Sequence, residues 1–329
     1  MFFKFHFIKS INIVGMNRYI LITAMLLTYS YMPHAQGIRK EILPLADFEN
    51  WHTRVVKESN IVGGDSCHVY YIAPSGTTRQ KGNLGLDTPW ASSNVYAEIT
   101  GVTKVNVNVF PEPGLSGRCA ALHNALMSFR VMGMKYNVVT VGAIFTGKID
   151  EPVKSMDDAF ATIDMGIPFT QKPNFLFFDY KSIIQNSGSV TEANGFRVKN
   201  RKGSDRAQVL VLLQKRWEED GKIYSKRVGT AEMFIDKSTD WVTEQKLRIS
   251  YGKPLSESTY SKRAQLSSIF FADNSNGKRV AINEVGWASP GDKPTHLILY
   301  VSSGSFDVYA AEIGNVLYLD NIGFGYVEN

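Results

Sequence analysis

The chain has 329 residues, of which 44% are hydrophobic and 20% charged, with a formal net charge of +5. That composition supports a full buried core and excludes a disordered chain. Removing Lys4, Lys9 and Arg18 with an N-terminal leader leaves 33 basic against 31 acidic residues, which argues against a nucleic-acid partner.

Residues 1–35 carry those three cations and no acid, followed by the apolar run 19–27 and then Tyr31-Met32-Pro33-His34-Ala35-Gln36. This order predicts a secretory signal peptide cleaved after Ala35, with Met16 as an alternative start. The mature protein is therefore expected in the periplasm, at the cell surface or outside the cell. No Cys stands at the end of the apolar run to carry a lipid. No later stretch reaches the roughly 18 consecutive apolar residues of a membrane span.

From there the chain reads as strands. Val105-Asn106-Val107-Asn108-Val109-Phe110 alternates strictly, and β-rich runs recur at 136–149, 174–184, 207–214, 227–235, 242–251, 266–272, 295–302 and 315–326. Turn clusters such as Pro111-Glu112-Pro113-Gly114, Glu219-Asp220-Gly221-Lys222 and Asn274-Ser275-Asn276-Gly277 separate them. Many short strands with such turns predict an all-β sandwich. Only 155–164 reads as a helix, with Ser155 as its cap and Asp157 and Asp158 in its first turn. The basic group Arg197, Lys199, Arg201, Lys202 and Arg206 reads as a solvated loop. No long linker or internal repeat interrupts the chain, so 36–329 is read as one domain. Cys67 and Cys119 are either bridged, as an oxidising compartment permits, or two buried thiols.

The segment Gly166-Ile167-Pro168-Phe169-Thr170-Gln171-Lys172-Pro173, with Tyr180-Lys181 after it, resembles the core of the putative carbohydrate metabolism domain, a family of exported proteins from Bacteroidetes. Trp90 to Asn94, Ser116-Gly117-Arg118-Cys119-Ala120-Ala121-Leu122, Ala143-Ile144-Phe145-Thr146-Gly147, Asp205-Arg206-Ala207 and Tyr300-Val301-Ser302-Ser303 resemble other segments of the same family in the same order. The resemblance implies a jelly-roll β-sandwich similar to carbohydrate-binding modules, and a glycan or polysaccharide as partner. The opening Leu45-Ala46-Asp47-Phe48-Glu49-Asn50-Trp51 and the closing Leu317-Tyr318-Leu319-Asp320-Asn321-Ile322-Gly323-Phe324 resemble the two ends of such sandwiches. In those modules an opening Glu and a closing Asp often share a structural calcium, which nominates Glu49 and Asp320 as ligands completed by backbone carbonyls.

Sugar recognition needs aromatic faces for stacking and polar groups for the hydroxyls. Trp90 with Asn94 beside it, Tyr180, Trp217 and Trp287 are the candidates, and the turn-rich surroundings of Trp90 and Trp287 favour exposure. Trp241 reads as core. Asp179, Lys181, Asp205 and Arg206 stand near Tyr180 and read as cross-strand pairs.

Catalysis has little support. Glu218, Glu219, Asp220, Glu232, Asp236 and Glu244 are available acids, but the sequence sets no two of them face to face. Nucleophile-elbow, zinc-protease and phosphate-loop motifs are absent, and His52, His68, His123 and His296 are too scattered for a metal cluster. The leading expectation is an exported, non-catalytic glycan-binding protein. A glycoside hydrolase is the alternative, and an adhesive protein binding other proteins is the third reading.

Overall fold

A computed structural model describes residues 37–131, 133–154, 162–256, 260–307 and 309–328. Residues Arg39–Tyr326 form one compact unit. The predicted signal peptide and most of the predicted helix, residues 155–161, lie outside the described residues. Asp164 at that helix's end belongs to the strand Ile163–Met165.

The described residues are 60% strand and 1% helix and form a jelly-roll β-sandwich of two curled, largely antiparallel sheets. The first sheet runs, neighbour to neighbour, through Val198–Lys202, Ser189–Gly195, Met134–Val141, Arg118–Val131, Val316–Val327, Phe175–Ile183 and Thr239–Arg248. The second runs through Ile163–Met165, Ala143–Ile149, His296–Ser302, Ala207–Glu219, Lys222–Ile235, Arg279–Trp287 and Phe271–Asp273. Two small sheets, one built around Trp51–Lys57 and one from Val95–Ile99 with Val102–Asn106, complete the described strands outside the sandwich.

The run Val209-Leu210-Val211-Leu212-Leu213 shows why the second sheet lies inside. Alternate side chains face opposite ways, so Val209, Val211 and Leu213 join Leu122, Phe178, Leu317 and Leu319 of the first sheet in the main core. Leu210 and Leu212 face away and are covered by Ala264, Phe270 and Ala272. The expected strand at 266–272 is therefore mostly a cover, and only Phe271–Asp273 is strand. Its carbonyls at Ser267 and Phe270 accept the N–H groups of Glu284 and Ile282.

Two other predicted runs divide. The run 136–149 becomes Met134–Val141 in the first sheet and Ala143–Ile149 in the second, joined at Gly142. A Cβ there would lie 2.5 Å from the His123 nitrogen and 2.8 Å from the Asn108 carbonyl oxygen, so only glycine makes the crossing. The alternating run 105–110 breaks because the Asn94 side chain accepts from the N–H of Asn108 and Val109, at 2.9 and 2.8 Å, in place of a ladder partner. Of the basic group expected in a loop, Lys199, Arg201 and Lys202 lie in the exposed edge strand Val198–Lys202, where charge discourages pairing with other chains.

The two ends of the sandwich meet. Leu43 N–H donates to the Ile322 carbonyl at 2.9 Å, and Ile322 N–H donates to the Ala46 carbonyl at 3.1 Å. Glu49 reaches the turn before Arg118–Val131, where its Oε1 accepts the Arg118 N–H at 3.1 Å. That turn needs Gly117, whose φ is +68° and whose Cβ would occupy the Glu49 carboxylate.

Candidate functional site

Most of the aromatic candidates are structural. Trp90 is 4% exposed. Its indole N–H donates to the Pro44 carbonyl at 2.8 Å, and its ring lies 6.1 Å from that of Phe48 in the main core. Turn-like neighbours favoured exposure, but the opening segment folds over this ring. Asn94 is 1% exposed and spends its amide on Tyr70, Asn108 and Val109, so it braces backbone and has no face for a sugar. Tyr180 is 6% exposed because strand alternation turns Leu176, Phe178 and Tyr180 inward together. Trp287 is half-buried, with the Arg227 guanidinium 5.8 Å from its ring centre. Trp241, expected in the core, lies half-buried against Tyr318, ring centres 6.5 Å apart.

The residues around Tyr180 are divided among other tasks. Asp179 accepts from the Glu244 N–H at 2.6 Å and the Asn321 amide at 2.9 Å, and Lys181 lies over the Tyr318 ring. Asp205 is buried and accepts backbone N–H groups of Arg206, Ser305, Phe306 and Glu312, while Arg206 lies over Phe234.

Trp217 is different. It stands at the tip of the hairpin formed by Ala207–Glu219 and Lys222–Ile235 and is 39% exposed. The turn is Asp220-Gly221, both at positive φ, as a tight hairpin turn demands. Register sets Trp217 directly opposite Tyr224, and their rings stack at 5.9 Å and 22°. Tyr224 in turn lies opposite Asn283 of the parallel neighbour, so Trp217, Tyr224 and Asn283 share one rung across three strands.

Each ring lines its own cavity. Trp217 borders a groove of about 430 Å³ with Arg216, Asp164, Asp273, Lys148 and His296. Tyr224 borders a second of about 510 Å³ with Lys222, Ser268, Asn283 and Val285. Both fall within the roughly 300–1,000 Å³ range of small-ligand sites. The segment Gly166-Ile167-Pro168, which carries the family resemblance, walls the first groove. Gly166, at φ +96°, leaves room for the Arg216 guanidinium, 2.6 Å from where a Cβ would lie.

The charged groups of the first groove are held in place. Arg216 donates to the Met165 carbonyl at 2.9 Å and the Gln214 side chain at 2.8 Å, and burial lowers its pKa to about 10. Burial, and then the Arg216 cation, push His296 down to about 4, so it is neutral at physiological pH. Burial raises the Asp164 carboxyl, although it accepts the Asp273 N–H at 3.2 Å. Asp273 itself is paired with Arg279 at 2.7 Å.

The tip is latched. Both Glu218 oxygens bind Ser275, to its N–H and its hydroxyl at 2.7 Å each, and the Asn274 amide donates to the Gly221 carbonyl at 2.8 Å. Farther down, buried Arg227 grips Glu284 at 2.7 and 2.5 Å and donates to the Ala264 carbonyl at 2.8 Å. The platform is therefore fixed at both its outer and inner ends. Of the other acids the sequence offers, Glu232 accepts from Gln208 and Ser261, and Glu244 pairs with Lys40.

At the bookends Asp320 is 3% exposed and its Oδ1 accepts the Asn321 N–H at 2.8 Å. Burial pushes this carboxyl up to about 7, with repulsion from Asp179, Glu49 and Asp47 acting in the same direction. Glu49 and Asp320 are thus near neighbours. Among the described residues no three or more His, Cys, Asp and Glu side chains are placed to share a metal ion, so a cation here would depend on carbonyls as well. Cys67 and Cys119 are both free thiols, and burial raises Cys119 to about 12.

Two solved structures resemble the fold. One is a putative glycoside hydrolase from Bacteroides thetaiotaomicron, 19% identical, with a TM-score of 0.47, covering 81% of this chain and 69% of that one. The other is a putative glycoside hydrolase from Bacteroides vulgatus, 15% identical, with a TM-score of 0.39, covering 88% of this chain and 97% of that one. Both likenesses are too distant to carry an argument about activity. No curated protein matches the chain. The family described as "Putative carbohydrate metabolism domain" matches residues 47–278, well over half of the chain. Apart from His296, the residues that line the first groove fall inside that match, as does the turn closed by Glu49, and the chain belongs to the putative carbohydrate metabolism domain family.

Proposed function

We propose that this chain is an exported, non-catalytic glycan-binding protein whose ligand docks at the hairpin tip. One observation carries the reading: an exposed Trp217, stacked on Tyr224 and latched in place, borders a groove whose carboxylates are already engaged. An indole face takes the C–H side of a pyranose, and the groove's polar groups meet its hydroxyls. Glu218 is held by Ser275 and Asp273 by Arg279, which supports binding over hydrolysis in this groove.

The test is a glycan array on the purified protein, followed by titration calorimetry and a reducing-sugar assay. Binding without sugar release is the expected result, with affinity falling at least about tenfold (about 1.4 kcal/mol) in Trp217→Ala. An array without signal, or unchanged affinity in that variant, overturns the reading. The hydrolase reading draws on the raised Asp164 carboxyl, which suits a general acid. Sugar release that disappears in Asp164→Asn would establish it.

Calcium belongs to the same proposal. Glu49 and Asp320 would hold the ion with carbonyls of the joined end segments, and the repulsion around Asp320 is what a cation relieves. A melting temperature that EDTA lowers and calcium restores supports it, and one indifferent to both removes it. Export is tested by locating the protein in fractionated cells.

A further inference from the structure

Resting on the glycan reading above, we infer that the site takes an oligosaccharide, with sugars on both sides of the aromatic wall, rather than a single terminal sugar. The two rings are stacked on one another and border different grooves: Trp217 that of about 430 Å³, Tyr224 that of about 510 Å³. The ring centres are 5.9 Å apart, comparable to the advance of one sugar along a chain. A glycan crossing the rung therefore meets an aromatic face in each groove.

The second groove is equipped for hydroxyl recognition. The exposed Ser268 hydroxyl is positioned by the Asn283 oxygen at 3.3 Å and can accept from a sugar hydroxyl, while the Asn283 amide is occupied by the Ile223 and Ala281 carbonyls at 3.1 and 3.3 Å. Lys222 stands beside it, and Val285 supplies an exposed apolar surface. Register makes the arrangement stiff, since Trp217, Tyr224 and Asn283 sit on one rung of three hydrogen-bonded strands. A chain already held against Trp217 meets the second groove as an intramolecular event, so each groove strengthens the other without any conformational change.

The experiment is calorimetry on the full chain with defined size series, disaccharide to hexasaccharide, of α-1,4- and β-1,4-glucans and of the polysaccharide that scores best on the array. Wild type is expected to bind the long members at least about tenfold more tightly than the disaccharide. Tyr224→Ala is expected to bring that long-to-short ratio down toward one, while Tyr224→Phe, which keeps the ring, retains it. Circular dichroism checks that both variants fold. A wild-type ratio near one, or a ratio that Tyr224→Ala leaves intact, overturns the two-groove inference while the single-groove function stands. Absence of binding at every size overturns the function itself, and the inference with it.

Discussion

The bookends and the hairpin tip both spend carboxylates on backbone N–H groups, and they differ in what those carboxylates hold. At the bookends Glu49, Asp179 and Asp320 spend oxygens on the N–H groups of Arg118, Glu244 and Asn321, and Asp320 is buried among like charges. At the tip Glu218 and Asn274 tie down the turn, and Trp217 remains in solvent. Carboxylates close the sandwich in one place and hold up an aromatic platform in the other. Buried charge is costly and persists where geometry demands it, whereas an exposed, rigid aromatic ring is a resource for binding.

The largest expected effect lies part-way down the hairpin from its tip, at Arg227 opposite Gln214. Arg227→Leu leaves Glu284 buried without its partner and should cost about 3–5 kcal/mol in chemical denaturation, weakening glycan binding as well because the base of the platform is lost. A small loss would mean that the platform does not depend on this pair. The next concerns Asp320. Its folded-state pKa is raised to about 7, so in EDTA its contribution is fully present below the usual carboxylate range and is lost as pH rises through about 7. Denaturation midpoints of the wild type should fall between about pH 5 and about pH 8, and this slope should flatten in Asp320→Asn, which keeps an oxygen for the Asn321 N–H. Glycan affinity should be indifferent to that substitution. The smallest stability effect is at Trp217, where replacement by Ala removes one exposed stacking partner and should cost less than about 1 kcal/mol while abolishing most binding. If Trp217→Ala unfolds the protein, the tip is structural and the contrast with the bookends disappears.

Part of the site was legible without coordinates. Trp217 was nominated as an aromatic, and the turn Glu219-Asp220-Gly221-Lys222 was visible as a hairpin signal. The two together specify Tyr224, because residues equidistant from a tight turn face each other. Arg216, Asp164 and His296 were beyond reach, since they come from three strands joined only by the sheet's order. Trp90 and Asn94 show the reverse failure. Proline and serine neighbours suggested a surface turn, but a segment more than 40 residues upstream covers the ring, its Pro44 carbonyl accepting the indole N–H.

The sequence by itself determined the all-β class and the family, because strand periodicity, turn residues and linear motifs are local properties. Only the tertiary structure decided which aromatic rings are buried, where the sandwich changes sheets at Gly142, and which polar groups surround Trp217. Exposure depends on what distant segments cover. No local pattern records it.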